Sequence, residues 1–171
     1  YTLIVLLRLL CQLTRADYYN PVSQFIVKVS NPPIIRLRRI VPKLWGIDFA
    51  AVLLLLILEG VRIGVSALLL SQSPHLVGVL FLSVAELLKL AIYIVMGALF
   101  FRAILSWVSV RNYHPMIRLI HSFTEPVIRP ARRVLPTTGG IDLSPMLIFV
   151  VLILALKLVV QPLLDLGRVL I

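Results

Sequence analysis

Four long apolar blocks limit what this chain can fold into. They are Tyr1 to Leu13, Ile47 to Leu70, His75 to Val110 and Ile141 to Leu164. A helix needs about 20 residues, each rising about 1.5 Å, to cross about 30 Å of hydrocarbon. The second and fourth blocks fit one crossing each. Composition agrees with a bilayer: 60% of residues are hydrophobic and 14% are charged, with a mean hydropathy of +1.04. Soluble domains have about 45–50% apolar residues.

The third block, at 36 residues, is too long for one perpendicular crossing. Ser83-Val84-Ala85-Glu86 has the pattern of a capping box. The expectation is therefore a short interfacial or re-entrant piece over His75 to Leu82, then a spanning helix from about Ala85. The alternative is one long tilted helix. The first block is short and begins with Tyr1 rather than Met, so residues are expected to precede it. A signal peptide fits poorly, because the apolar run leads straight into a basic segment with no small-residue cleavage site.

The chain repeats itself. Shifted by 94 residues, Leu7–Val65 aligns with Phe101–Val159 without a gap, and 15 of the 59 pairs are identical. The matches fall on informative residues: Arg8 with Arg102, Tyr19 with Tyr113, Pro21 with Pro115, and Pro32 with Pro126. Further along, Arg38-Arg39 meets Arg132-Arg133, Pro42 meets Pro136, and Gly46-Ile47-Asp48 meets Gly140-Ile141-Asp142. Each unit reads as spanning helix, basic loop, spanning helix. The units are assigned to residues 1–70 and 71–171.

Each loop holds the pattern of a short amphipathic helix. Pro21 and Pro115 suit a first helical position, with Asn20 a good cap and His114 a poorer one. Val22, Phe25, Ile26 and Val29 form an apolar stripe, and Met116, Leu119, Ile120 and Phe123 repeat it. Pro32 and Pro126 are expected to end these helices. The stripes suit helices lying on the membrane surface; packing on the other unit is the alternative.

The net charge of +10 concentrates in the two loops. Arg15, Lys28, Arg36, Arg38, Arg39 and Lys43 oppose Asp17 in the first. Arg111, Arg118, Arg129, Arg132 and Arg133 oppose Glu125 in the second. Short basic loops stay in the cytoplasm, so residues 14–46 and 111–140 are expected there and both termini opposite. Four crossings satisfy this, with the two units parallel. Trp45, Trp107 and Tyr113 fall at the same ends, as an interfacial aromatic belt requires. The expected partner of this charge is anionic lipid headgroups rather than nucleic acid.

Ionisable residues also lie inside the apolar blocks, where each is a functional candidate. Glu59 with Arg62, and Glu86 with Lys89, are spaced i, i+3 and can neutralise each other. Lys157 has no obvious partner. Arg8 and Arg102 occupy equivalent sites, as do Asp48 and Asp142 at the starts of the following helices, where an aspartate can cap and meet the dipole. Either each arginine is held by the aspartate of one of the two units, or it snorkels to the interface.

No catalytic constellation is visible: no Walker loop, no G-x-S-x-G, no H-E-x-x-H and no C-x-x-C. The expectation is that the chain is not an enzyme and carries no cofactor or metal. Cys11 reads as a small apolar packing residue, and His75, His114 and His121 as surface imidazoles.

The second unit carries a family resemblance. Phe101-Arg102-Ala103-Ile104-Leu105-Ser106-Trp107, Pro115, Glu125-Pro126, Arg129-Pro130-Ala131-Arg132-Arg133, Pro136 and Gly139-Gly140-Ile141-Asp142-Leu143-Ser144-Pro145 resemble the signature of the YggT family. Tyr19-Asn20-Pro21, Ser23-Gln24-Phe25, Arg38-Arg39, Pro42 and Gly46-Ile47-Asp48 resemble its first repeat. The first unit departs at Ile35-Arg36 and Ala50-Ala51, which replace Arg129-Pro130 and Ser144-Pro145. The resemblance implies a bacterial inner-membrane protein. It further implies links to osmotic or potassium stress, to cell division and envelope organisation, and, in plastids, to haem attachment on a cytochrome.

These readings combine into an all-α membrane protein with about four transmembrane helices as two parallel tandem repeats, each with a short interfacial helix. The expected function is a scaffold, assembly or stress-related factor acting on other membrane proteins or on copies of itself. The alternatives are a potassium channel or transporter subunit, favoured by Glu59, Arg62, Glu86, Lys89 and Lys157, and a haem or cytochrome assembly factor.

Overall fold

A computed structural model describes residues 1–39, 41, 47–70, 75–107, 114–134 and 144–170. Among them the fold is all-helical: α1 (Thr2–Leu13), α2 (Pro21–Leu37), α3 (Phe49–Leu69), α4 (Leu76–Trp107), α5 (Pro115–Val134), α6 (Ser144–Ala155), a π-helical turn (Leu156–Val160) and α7 (Gln161–Val169). Three rods are long and apolar enough to cross a membrane: Phe49–Leu69, Leu76–Leu105 and Ser144–Val169, the last including α6, the π turn and α7. The α1 helix is apolar but has 12 residues.

The π turn precedes Pro162, and Gln161 N–H reaches back to the Leu156 carbonyl. A proline ring in a helix clashes with the carbonyl four residues back, and a widened turn is one way to accommodate it.

The long helix α4 is the spine. It packs against α1, α3, α5, α6, the π turn and α7. Two cores are built on it from equivalent residues. The first joins Val5 of α1, Ile34 of α2 and Leu54 of α3. The second joins Leu99 of α4, Ile128 of α5 and Ile148 of α6. Each pair, Val5 with Leu99, Ile34 with Ile128 and Leu54 with Ile148, is separated by 94 residues. A third core joins Ala85 of α4 to Val160 and Leu164. There α4 and α7 approach closely: a Cβ on Gly167 would lie 2.7 Å from Leu82 Cγ and 3.1 Å from its backbone nitrogen.

Three local expectations are corrected. First, α4 starts at Leu76 and runs unbroken through Ser83, which makes it the single long helix rather than a re-entrant piece followed by a span. The Ser83 hydroxyl donates to the Val79 carbonyl at 2.7 Å, a bond within the helix and not a cap. An apolar run without glycine–proline punctuation has no reason to stop at a serine whose hydroxyl can bond within the helix.

Second, Pro32 and Pro126 do not end their helices, since α2 continues to Leu37 and α5 to Val134. A proline inside a helix costs about 3 kcal/mol, and contacts on both sides outweigh that here. Before each proline, a hydroxyl (Ser30 or Thr124) is held by an arginine of another helix. After each, a fully buried isoleucine (Ile34 or Ile128) anchors the chain. The Val29 carbonyl, which Pro33 cannot engage, accepts from the Tyr1 hydroxyl at 3.2 Å.

Third, Asp48 sits at the N-cap of α3, but its side chain makes no cap hydrogen bond. Its carboxylate is engaged by arginines instead.

Candidate functional site

The equivalent arginines Arg8 and Arg102 each organise a polar cluster between an apolar helix, α1 or α4, and the amphipathic helix packed on it. Arg8 Nη1 donates to Ser30 Oγ at 3.1 Å. Arg102 Nη1 donates to Thr124 Oγ1 at 2.8 Å. Both hydroxyls also donate one turn back along their own helix, Ser30 to the Ile26 carbonyl and Thr124 to the Ile120 carbonyl, each at 2.7 Å. Ser30 and Thr124 are themselves a 94-residue pair and both are fully buried. The arginine therefore ties two helices through one shared hydroxyl, which accepts from the guanidinium while donating to the backbone.

Each cluster holds a second arginine and a carboxylate, and among the described residues the carboxylate comes from a different place. In the first unit Asp48 is contacted by Arg38 and lies 3.7 Å from Arg8. In the second, Glu125 accepts from Arg102 at 2.9 Å and from Arg132 at 3.3 Å. Arg38 and Arg132 are equivalent, whereas Glu125 is equivalent to Asn31. Of the alternatives open for these arginines, the aspartate of either unit or snorkelling, Arg8 lies beside the aspartate of its own unit. Asp142 and Gly140 lie outside the described residues, and Arg102 meets Glu125 and Thr124 among those described.

Burial separates the two clusters. The side chains of Arg8 and Asp48 are 9% and 1% exposed, against 13% and 37% for Arg102 and Glu125. The Arg102 hydrogen bond holds the Glu125 carboxyl below its ordinary value, against a smaller opposing effect of burial. Burial first, and the Arg102 charge second, lower His121 from its ordinary value.

The amphipathic helices also join the two units. Ser122 Oγ accepts from the Asp17 backbone N–H at 3.2 Å, and the Asn20 side-chain amide donates to the Pro115 carbonyl. Asn20 caps α2 as expected, accepting from Val22 N–H at 3.0 Å. In α2 Phe25 is exposed, whereas in α5 Leu119 and Phe123 are buried. The two stripes, alike in sequence, are thus used differently.

The remaining candidates are dispersed. Glu59 and Arg62 pair at 2.6 Å, and Glu86 and Lys89 at 2.7 Å, as their spacing predicts. Lys157 is exposed in the π turn and makes no ion pair among the described residues. Arg39 and Arg133 are exposed, and Pro126 is exposed on α5. No group of three or more metal-ligating side chains occurs among the described residues. Sequence reasoning missed Ser30, Thr124 and the role of Glu125. The signal for the first two was available: a hydroxyl recurs at the same offset, one residue before the Asn31/Glu125 pair.

Comparison with known proteins completes the assignment. The family model described as CCB3/YggT matches residues 1–69 and 81–163. The protein PA0392 of Pseudomonas aeruginosa is 39% identical over 93% of this chain and 80% of its own length. A protein from the proC 3′ region of Vibrio alginolyticus is 41% identical over 88% of this chain and 82% of its own. YggT of Escherichia coli K12 is 37% identical over 89% of this chain and 79% of its own. No solved structure matches. With both repeats matched by one model and relatives aligned along most of its length, the chain belongs to the CCB3/YggT family.

Proposed function

We propose that this chain is a non-enzymatic scaffold or assembly factor of the bacterial inner membrane, serving envelope organisation or osmotic homeostasis. It crosses the bilayer four times, with α1 as one crossing, and its two units share one orientation. The basic loops 14–46 and 111–140 face the cytoplasm and engage anionic headgroups. One observation carries the reading. The long rods leave large apolar side chains uncovered along their length, among them Val61, Val65, Tyr93, Val150, Val151 and Leu158. Such surfaces are covered by lipid or by other membrane helices. Meanwhile Arg8, Ser30, Arg102, Thr124 and Glu125 are spent on fastening the chain to itself.

Crosslinking with mass spectrometry in native membranes tests this. Partner membrane proteins or self-crosslinks on the exposed faces of α3 and α6 are expected. A chain that stays monomeric and captures no membrane protein would sink the idea.

A channel-subunit reading draws on Lys157 alone, because Glu59 with Arg62 and Glu86 with Lys89 are locally neutralised. Potassium flux in proteoliposomes that is lost in Lys157→Met would promote it, and silent liposomes would remove it.

A further inference from the structure

A cavity of about 410 Å³ opens beside the first arginine cluster, between α1 and α2. Arg8, Arg15 and Arg38 line it, with Ser23 and Asn31 from one face of α2. Ser23 is 5% exposed and its hydroxyl has no hydrogen-bond partner. Buried hydroxyls are normally satisfied, so a ligand in the cavity that this hydroxyl reached by rotating about its Cα–Cβ bond would supply the partner it lacks. Arg15 makes no ion pair among the described residues. It follows α1 in the left-handed backbone region, with φ of 52°, where a glycine is usual.

The second unit indicates what belongs there. Its counterpart of Asn31 is Glu125, whose carboxylate bridges Arg102 and Arg132. Its counterpart of Ser23 is Ile117, a buried apolar residue. The second unit thus supplies its own anion where the first has a neutral amide, an unused hydroxyl and an open cavity. Three arginines against Asp48 leave a surplus of positive charge. Guanidinium forks with hydroxyl and amide donors suit a tetrahedral oxyanion.

We propose that this cavity is a phosphate-binding site, taking the phosphoryl group of a lipid headgroup or of a soluble phosphate in the place that Glu125 fills in the second unit. The lipid source rests on the membrane-surface reading above; phosphate recognition itself does not.

The test uses the full chain, delipidated in detergent, with inorganic phosphate, short-chain phosphatidic acid and short-chain phosphatidylglycerol as probes. Diacylglycerol serves as the phosphate-free control, and binding is read by native mass spectrometry and titration. Binding of phosphate with both lipids supports a site for the phosphoryl group alone. Binding of the lipids only supports a headgroup site. Arg15→Gln and Ser23→Ala should each weaken binding about tenfold, the equivalent of one charge-assisted hydrogen bond. Asn31→Glu should abolish it by supplying the internal carboxylate, while leaving helicity intact. The control Arg129→Gln, in the second unit, should change nothing. Absence of binding to all three phosphate probes overturns the proposal. So does binding by Asn31→Glu, or by both Arg15→Gln and Ser23→Ala, at wild-type affinity. Failure here leaves the crosslinking outcome untouched, so the two readings fall separately.

Discussion

Arg102 donates to the Glu125 carboxylate at 2.9 Å, across 23 residues and from one helix to another. Its counterpart Arg8 lies 3.7 Å from Asp48, a carboxylate forty residues along the chain. Among the described residues, equivalent arginines thus meet non-equivalent anions. The two pairs also differ in exposure, and that difference sets their sensitivity to substitution.

Asp48→Ala is expected to destabilise far more than Glu125→Ala. Asp48 is 1% exposed and faces two arginines, so removing it strands buried positive charge. Breaking such a pair costs about 3–5 kcal/mol. Glu125 is 37% exposed, and solvent can replace it, leaving a loss of about 1 kcal/mol or less. Denaturant titrations of both variants in one detergent would measure the order, and equal losses would refute the argument.

Thr124→Val keeps the shape of a fully buried residue and removes its hydroxyl. Arg102 Nη1 then loses its 2.8 Å acceptor. A loss of about 1–3 kcal/mol is expected, with Thr124→Ser close to wild type. Equal stability of the serine and valine variants would show that the hydroxyl contributes nothing.

Acid should loosen the second cluster in two stages. His121 ordinarily titrates at 6.5 and is lowered in the fold, chiefly by burial. The unfolded chain therefore takes up its proton first, and stability present above about pH 6.5 declines below it. Glu125 is lowered from 4.5, chiefly by its hydrogen bond from Arg102, so its contribution is present above that pH and is lost as pH falls through the folded value. Glu125→Gln should flatten the lower stage and deepen the upper, because the carboxylate is the one nearby charge that raises His121. Thermal midpoints in detergent between pH 3 and 8 would check both; a midpoint rising on acidification would contradict the sign.

Gly167→Ala should disrupt the contact of α7 with α4, since the new methyl would meet Leu82 Cγ at 2.7 Å. Overpacking of this kind costs about 1–3 kcal/mol. Leu82→Ala should restore part of the loss in the double variant, and strict additivity would locate the strain elsewhere.

Arg15→Gly should relieve its left-handed backbone, at φ 52°, and stabilise the fold by about 1 kcal/mol. The same substitution removes a cation from the α1–α2 cavity. Stability and phosphate retention should therefore move in opposite directions.

What the sequence determined by itself was everything that depends on local pattern. Apolar runs of spanning length specified the long helices, because a backbone in hydrocarbon must satisfy its own hydrogen bonds. The spacing of Glu59 with Arg62 and of Glu86 with Lys89 specified their pairing, because such neighbours share a helix face. The offset of 94 residues exposed the duplicated framework, including the recurrence of Arg8 in Arg102. Tertiary structure decided the rest. Whether Pro32 and Pro126 stop a helix depends on contacts beyond them, which no local rule contains. Whether Ser83 caps a helix or lies within one depends on what the preceding turn does. Which carboxylate an arginine finds is a matter of three-dimensional approach. The first unit holds Asp48 from the next helix and leaves a cavity at Asn31, while the second closes the same position with Glu125 from its own amphipathic helix. The repeated sequence set the helical framework, and packing made the two copies chemically different.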